Sequence, residues 1–333
     1  MPGIVSHWLL GQRILNNEDF LQRFPDLNRD AFLWGCQGPD ALFLHRVMPW
    51  QTGSLRKYGG ILHNGDPTAL LLSLAKICRY VRTRADFDVI YAYALGFCCH
   101  YCFDRRVHPL VYYNCMLLEK TDERGCDYNY HADIENSLDI MLLRHDTGRL
   151  LPEMRLTDCL PSCEGIDSSL AVFYSLLLCD VCGVHTPHKT AMTIASDFRF
   201  HTSLLDDPHA LKRSAAETAE AVQALLPPAL HRVRRGTLTG KFHPRTADMS
   251  FDYGNMLGSV WFHPDDRSER SNMDFYELTD LAETESLELI SLFADEVAHK
   301  GSANFALFTR GLNFSGKRMK CEMRSVKPLT ANC

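Results

Sequence analysis

The pattern of hydrophobic and polar residues predicts helices along almost the whole chain. Asp66-Pro67-Thr68 supplies an N-cap acid and a proline at the first helical position, and an apolar periodic segment follows to about residue 81. The next helix is expected to begin at Asp86 or Asp88 and to lead through apolar residues into His100 and Asp104. Alternating strand patterns bounded by turns are scarce. The chain is therefore predicted to be all-α.

Five further helices follow from the same periodicity, at about 107–119, 130–145, 168–182, 209–226 and 275–299. Clusters of glycine and proline predict loops at 148–165, 183–188, 227–228 and 236–266. None of these loops is a long polar, low-complexity linker, and we find no internal repeat. We therefore expect a single helical domain over residues 1–333.

Composition and charge narrow the class of protein. The chain has 333 residues, 46% of them hydrophobic, and a net charge of -6. Without a long basic run, a mildly acidic chain is a poor candidate for binding duplex nucleic acid, because such binding depends on neutralising phosphates. The start of the chain has no secretory signal pattern, and the longest apolar run, 170–184, contains Asp180 and is too short to cross a bilayer. We expect a cytoplasmic protein with no transmembrane segment.

Thirteen cysteines, an odd number, are expected to be reduced thiols in a protein without an export signal. An alternative is a four-thiolate zinc site built from Cys159, Cys163, Cys179 and Cys182. However, Cys179 and Cys182 fall inside the long apolar run, where cysteine behaves as a small hydrophobic residue. We therefore favour core packing for these two.

Candidate metal ligands are concentrated in a short part of the chain. On a helix four residues advance about 400°, so His100 and Asp104 lie one turn apart on one face, as do His131 and Glu135. His108 extends the first pair, and the three side chains of residues 100, 104 and 108 fall within an arc of about 80°. Histidines of the core or of helix caps beside solvated acids are the alternative interpretation of each pair.

Three more possible ligands lie upstream, namely His7, Asp40 in the turn Gly38-Pro39-Asp40, and His63. Each is ordinary by itself, since a turn aspartate often caps a helix and a lone histidine is often a surface residue. Their order along the chain, together with residues 100, 104, 108, 131 and 135, is what gives them weight.

With these ligands, the chain resembles the zinc-dependent phospholipase C family, which is related to fungal single-strand nucleases and 3′-nucleotidases. The resemblance covers about residues 1–145, and the remainder, 146–333, has helical character without a recognised signature. It implies an all-α, multi-helix phospholipase C or single-strand nuclease-like domain with a metal cleft. The motifs are Ser-His-Trp-Leu-Leu-Gly, Gly-Pro-Asp-Ala-Leu-Phe, Ala-Leu-Gly-Phe-Cys-Cys-His-Tyr-Cys-Phe-Asp-Arg-Arg-Val-His-Pro and His-Ala-Asp-Ile-Glu-Asn-Ser-Leu-Asp.

The resemblance also implies two to three zinc ions and a ligand set. Asp104 would bridge the first zinc and a second zinc held by His7 and the chain terminus. Asp40, besides binding metal, is the candidate general base. The first zinc would take Asp40, His63, His100 and Asp104, and the remaining zinc His108, His131 and Glu135.

The chain terminus departs from the family. The secreted members use the amino group of a processed N-terminal tryptophan as a ligand, whereas this chain begins Met-Pro-Gly. If Met1 is removed, the amine of Pro2 becomes the candidate ligand.

The function expected from the resemblance is zinc-dependent phosphodiester hydrolysis of phospholipase C type, in which a metal-activated water attacks a phospholipid phosphodiester. One alternative is a nuclease or 3′-nucleotidase, which needs aromatic faces to stack a base. Another is a metal-binding helical protein without catalytic activity. Four tyrosines are candidates for base stacking: Tyr112, Tyr113, Tyr128 and Tyr130.

Overall fold

The computed structural model describes residues 3–124, 128–224, 236–244, 246 and 250–319. Within them, thirteen α-helices and a single small sheet confirm the all-α prediction. Strands β1 (Trp261–His263) and β2 (Asp266–Ser271) pair in antiparallel fashion. The helices, α1 to α13, are Ile4–Leu15, Glu18–Arg23, Arg29–Gly35, Arg56–His63, Pro67–Tyr80, Phe87–Thr121, Tyr130–Thr147, Ile166–Cys182, His188–Ala191, Ile194–Leu205, Leu211–Ala224, Phe275–Ala298 and Phe305–Thr309.

Most of the predicted helices are confirmed to within a few residues. Helix α5 begins as its sequence indicated, with the Asp66 side chain accepting a hydrogen bond from the Thr68 N–H and Pro67 at the first helical position. The segment 236–266 was predicted to be a loop, and this is wrong for β1 and the start of β2. The loop predicted at 227–228 lies outside the described residues.

Helix α6 is one continuous helix of 35 residues, so the segment predicted as a separate helix at 107–119 is part of it. Pro109 lies inside it and lacks the N–H that would pair with the Arg105 carbonyl. Gly316 packs closely against this part of the helix. A side chain at Gly316 would meet Pro109 at 2.5 Å and the Arg105 carbonyl oxygen at 2.9 Å.

Helix α6 is the centre of the molecule, and α3, α7 and α12 pack around it. Its approach to α3 is close because residue 96 is glycine: a Cβ there would lie 2.1 Å from the Phe32 carbonyl oxygen. On another side, Arg105 and Arg106 both bind Glu285 of α12, with 2.7 Å between the Arg105 and Glu285 atoms. These contacts hold α6 rigidly, and buried side chains from both halves of the chain belong to one core cluster.

The long apolar run forms α8, whose side chains are largely buried. None of the helices in the described part of the chain is long and apolar enough to cross a membrane. Burial raises the pKa of thiols such as Cys98 and Cys99 well above its ordinary value, which keeps them protonated and unreactive. Cys179 is disulfide-bonded, so the expectation of reduced thiols throughout is wrong at this position.

Candidate metal centre

The structure brings the eight sequence-predicted ligands into three groups of donor atoms. In each group the donor atoms lie within 4.8 Å of one another. Among the described residues, these groups contain histidine and carboxylate side chains and no cysteine. The groups are His7, His100 and Asp104; Asp40, His63 and His100; and His108, His131 and Glu135.

Asp104 lies between the first two groups and presents a different oxygen to each. Its Oδ2 is 3.3 Å from His100 Nε2 and 3.6 Å from His63 Nε2, and its Oδ1 is 3.2 Å from His7 Nε2. Asp40 Oδ1 completes the set at 3.1 Å from His63 Nε2. Ligands around a tetrahedral zinc are about 3.3–3.5 Å apart when zinc bonds are about 2.0–2.2 Å long. The spacing of these donors therefore fits such an ion.

The orientation of His63 and His100 is set by main-chain carbonyl groups. His63 Nδ1 donates to the Gly59 carbonyl at 2.7 Å, and His100 Nδ1 donates to the Cys36 carbonyl at 3.1 Å. A carbonyl only accepts, so both Nδ1 atoms carry a proton. The two Nε2 atoms therefore face one another at 3.4 Å beside the carboxylates of Asp40 and Asp104, where either a proton on His63 or a metal ion holds them together.

The third group is built in the same way on α6 and α7. His108 Nε2 and His131 Nε2 lie 3.2 Å and 3.1 Å from the same Glu135 oxygen. His108 Nδ1 donates to the Phe314 carbonyl at 2.9 Å, which leaves its Nε2 directed at the carboxylate. The His131 side chain retains 32% of its exposure, whereas that of Glu135 retains 14%. This group therefore opens toward the outside.

Two tyrosines hold the turn that carries Asp40 in place through hydrogen bonds. Gly38 has a positive φ of 51°, and a side chain at this position would meet the His100 ring at 2.4 Å. Its carbonyl accepts hydrogen bonds of 2.8 Å from both Tyr93 and Tyr174. Glycine is thus required on both conformational and steric grounds, and the turn positions Asp40 beside His63.

Helix α1, which carries His7, is capped by a residue from a distant helix. Its own N-cap residue is a glycine without a side chain, and Asp139 of α7, which is fully buried, supplies the acceptor. Asp139 accepts hydrogen bonds from the main-chain N–H groups of Gly3, Val5 and Ser6. It also lies 2.8 Å from His243 Nε2. His7 Nδ1 has no hydrogen-bond partner among the described residues, and the proposed Pro2 ligand lies outside them.

The charge balance of the groups favours cation binding. Burial by itself would raise the pKa of Asp104, but His108 and His100 lower that pKa well below its ordinary value. Burial by itself would lower the pKa of His108, and Asp104 and Glu135 raise it well above its ordinary value. Burial lowers the pKa of His100, which keeps this ring neutral as a ligand must be.

A cavity of about 20 Å³ lies between the groups, lined in part by Ser6, His7, Asp104, His108 and Glu135. This is enough space for one water molecule. The cavity thus places a water-sized space against carboxylates from two of the groups.

The candidate stacking tyrosines have different environments. Tyr128 and Tyr130 are buried, whereas Tyr112 and Tyr113 are partly exposed. The Tyr112 ring packs against those of His108 and His131, at centroid distances of 5.6 Å and 5.3 Å. Only Tyr112 is therefore both beside the third group and accessible.

These residues fit zinc by their chemistry. Imidazole with carboxylate is a donor set that zinc accepts, while magnesium and calcium prefer oxygen ligands alone. The Nε2 atoms of His63 and His100 converge with oxygens of Asp40 and Asp104 while carbonyls hold both Nδ1 atoms, and this observation tests the fit, because zinc binds such a set of inward-facing donors.

Sequence reasoning missed the residues that orient the ligands. Gly59, Cys36 and Phe314 act through main-chain carbonyls, which carry no side-chain signature. Asp139 is the last residue of the motif that begins at His131, and the sequence analysis predicts no role for it. Its spacing from the preceding ligand, Glu135-x3-Asp139, was the available signal.

Comparison with known proteins gives one match. A family model for zinc dependent phospholipase C matches residues 6–170. It therefore extends past residue 145, where the motifs identified in the sequence end. No curated protein and no solved structure matches the chain.

Proposed function

Because residues 6–170 belong to the zinc-dependent phospholipase C family, we propose that the protein is a phosphodiesterase that cleaves glycerophospholipids on the glycerol side of the phosphate. The products are diacylglycerol and a phosphorylated head group. The observation that carries this proposal is the pair of Nε2 atoms of His63 and His100, 3.4 Å apart beside Asp104. Family membership supports the reaction class, and this geometry supports the metal.

Two to three zinc ions would be held by the eight ligand side chains. When bound, they would supply Lewis acidity that acidifies a water molecule and offsets the negative charge of the phosphate. Asp104 contributes an oxygen to each of two groups, so it sets their separation. His108 and Glu135 hold the outer group, where partly exposed His131 marks the side from which a phosphate approaches.

Asp40 is the proposed general base. Burial by itself would raise the pKa of Asp40, but the hydrogen bond with His63 and the nearby His100 lower it, so Asp40 is ionised at neutral pH and able to accept a hydrogen bond from water. Asp40 is also a proposed ligand, which reduces its basicity. No side-chain nucleophile is needed in such a mechanism, because water is the attacking group.

The test is metal analysis followed by an activity panel. Protein purified without added chelator is expected to hold two to three equivalents of zinc and to release diacylglycerol from phospholipids. A content of fewer than one equivalent of zinc, not restored by dialysis against zinc, would contradict the proposed function.

A nuclease or 3′-nucleotidase is the second candidate, and the position of Tyr112 favours it. The ring stacks near His108 and His131 while remaining partly exposed, as a base-stacking side chain would. Nucleoside 3′-monophosphates and single-stranded DNA therefore belong in the panel. Hydrolysis of these substrates, without release of diacylglycerol, would replace the lipid substrate by a nucleotide one.

A further inference from the structure

Helix α4 has two different sides. Its last residue, His63, is directed into the metal centre, and Leu62 is buried. Arg56, Lys57 and Ile61 are exposed, Ile61 by 47%. Residues 57 and 61 lie one turn apart on one face, and Arg56, at the first position of α4, is about 100° around the helix from Lys57. The exposed part of α4 therefore presents two cations and an apolar side chain.

The two cations of α4 are not neutralised by neighbouring acids. Neither side chain forms an ion pair with any residue that the structure describes. The Lys57 ammonium lies 4.9 Å from the centre of the Tyr58 ring, which leaves its charge in place. The whole chain has a net charge of -6. This surface is positively charged instead, so it attracts anions locally.

An exposed tryptophan lies in the loop that precedes α4. Trp50 is 76% exposed and lies in the turn between Met48 and Gln51, where the Gln51 N–H donates to the Met48 carbonyl at 2.9 Å. The loop returns to His45, whose Nδ1 accepts from the Leu55 N–H at 2.9 Å, immediately before α4 begins. Tryptophan on such a turn is typical of side chains that enter the interface of a bilayer.

A groove of about 490 Å³ lies against this surface. It is lined by Phe43, Ser54, Arg56, Lys57 and Gly60. The Phe43 ring stacks on that of His63, with 5.3 Å between their centroids. A group in the groove is thus separated from a candidate metal ligand by a single aromatic ring.

We propose that Trp50, Arg56, Lys57 and Ile61 form an interfacial surface that docks the protein on a bilayer containing anionic phospholipid. The cations alone would also suit a nucleic acid, but the exposed Trp50 and Ile61 add apolar area beside the charges, which matches the charged head groups and apolar interior of a bilayer. The purpose of docking, delivery of lipid to the metal centre, rests on the proposed function.

Co-sedimentation with vesicles tests the surface without requiring hydrolysis. The full-length protein is expected to bind vesicles of phosphatidylcholine mixed with phosphatidylserine more tightly than vesicles of phosphatidylcholine alone. The double variant R56Q/K57Q should lose about 10–30-fold in binding to the mixed vesicles. Trp50→Ser should weaken binding to the same vesicles, because it removes the buried ring rather than a charge.

The matched control is the double variant R82Q/K300Q, which removes two exposed cations elsewhere. It should bind mixed vesicles like the unaltered protein. An equal loss in the control, or no binding of mixed vesicles by the unaltered protein, would overturn the surface. Binding of single-stranded DNA through Arg56 and Lys57 in place of vesicles would also overturn it.

A separate assay distinguishes this proposal from the proposed function. If the protein hydrolyses a dispersed short-chain phospholipid but does not bind vesicles, the proposed function is supported and the docking surface is contradicted. If the protein binds vesicles through these side chains but hydrolyses no phospholipid, the docking surface is supported and the proposed function is contradicted.

Discussion

The Phe314 carbonyl accepts a hydrogen bond of 2.9 Å from His108 Nδ1, although 206 residues separate them in the chain. The Phe314 ring also packs against His63 and His100, with centroid distances of 5.1 Å and 5.8 Å. One residue near the end of the described chain therefore touches ligands of all three groups, because His100 belongs to two of them. It lies well outside residues 6–170, which match the family model.

This relationship predicts that Gly316→Ala impairs metal binding. A side chain there would meet Pro109 at 2.5 Å, so the turn that carries Phe314 must move away from His108. Loss of a partner that orients a ligand usually costs about 10–100-fold in metal affinity, and competition with a zinc chelator measures it. Gly258→Ala is the control, because Gly258 has a similar positive φ of 67° but no atom within 4 Å of the added carbon. Equal effects of the two variants would show that backbone strain alone is responsible.

Asp104→Asn should be more damaging than Glu135→Gln. Asp104 presents one oxygen to His7 and the other to His63 and His100, whereas Glu135 serves only the outer group. We expect the first variant to lose more zinc per protein chain, as measured by elemental analysis. If both lose the same single equivalent, the bridging role of Asp104 is wrong.

Asp139→Ala should destabilise the protein and also release the zinc proposed at His7. Three N–H groups of α1 would lose their acceptor, at about 1–3 kcal/mol for each buried donor left unpaired. Urea unfolding and zinc content should be measured together. Asp66→Ala removes an N-cap from α5, which carries no ligand, and should cost about 0.5–2 kcal/mol with full zinc retention. Zinc loss in both variants would point to general instability.

Glu285→Gln tests the pH dependence of the α6–α12 contact. Burial by itself would raise the pKa of Glu285, but Arg106 and Arg105 lower it below its ordinary 4.5. A lowered pKa in the folded protein stabilises it above pH 4.5, and this contribution is lost as the pH falls through the folded-state pKa. The variant should therefore be about 1.5–3 kcal/mol less stable at neutral pH, with a smaller difference in acid.

Urea unfolding across this pH range measures the effect of Glu285→Gln. Glu288→Gln on the same helix is the control, since that residue is exposed. A difference between Glu285→Gln and the unaltered protein that stays constant with pH would contradict the role of the carboxylate charge.

Much of the fold followed from local sequence, and the errors have physical causes. Helix α5 was placed well because its cap, proline and apolar period all lie within the same segment. The separate helix expected from residue 107 is instead a continuation of α6, because the packing of α6 against α3, α7 and α12 outweighs the local signal of Pro109. The short strands were missed because β2 is mostly exposed and polar, without an apolar alternation.

The ligand side chains were accessible from sequence because their chemistry and spacing are specific. The groups that orient these side chains were not accessible from sequence. His63 and His100 each depend on a main-chain carbonyl, and any residue type can provide one. The cap on α1 comes from Asp139, more than 130 residues away, because the local N-cap is glycine. Long-range partners of this kind appear only when the chain is folded.

Because Phe314 lies far along the chain, it is translated well after the candidate ligands. All eight candidate ligands have been translated once Glu135 is made, and Phe314 follows 179 residues later. At about 5–20 residues per second, the ribosome needs roughly 9–36 s to reach it. During this interval the nascent chain holds every ligand while His108 lacks the carbonyl that orients it. Under the proposed function, correct loading with metal is therefore expected to be a late step in the maturation of the protein, after α13 has been synthesised.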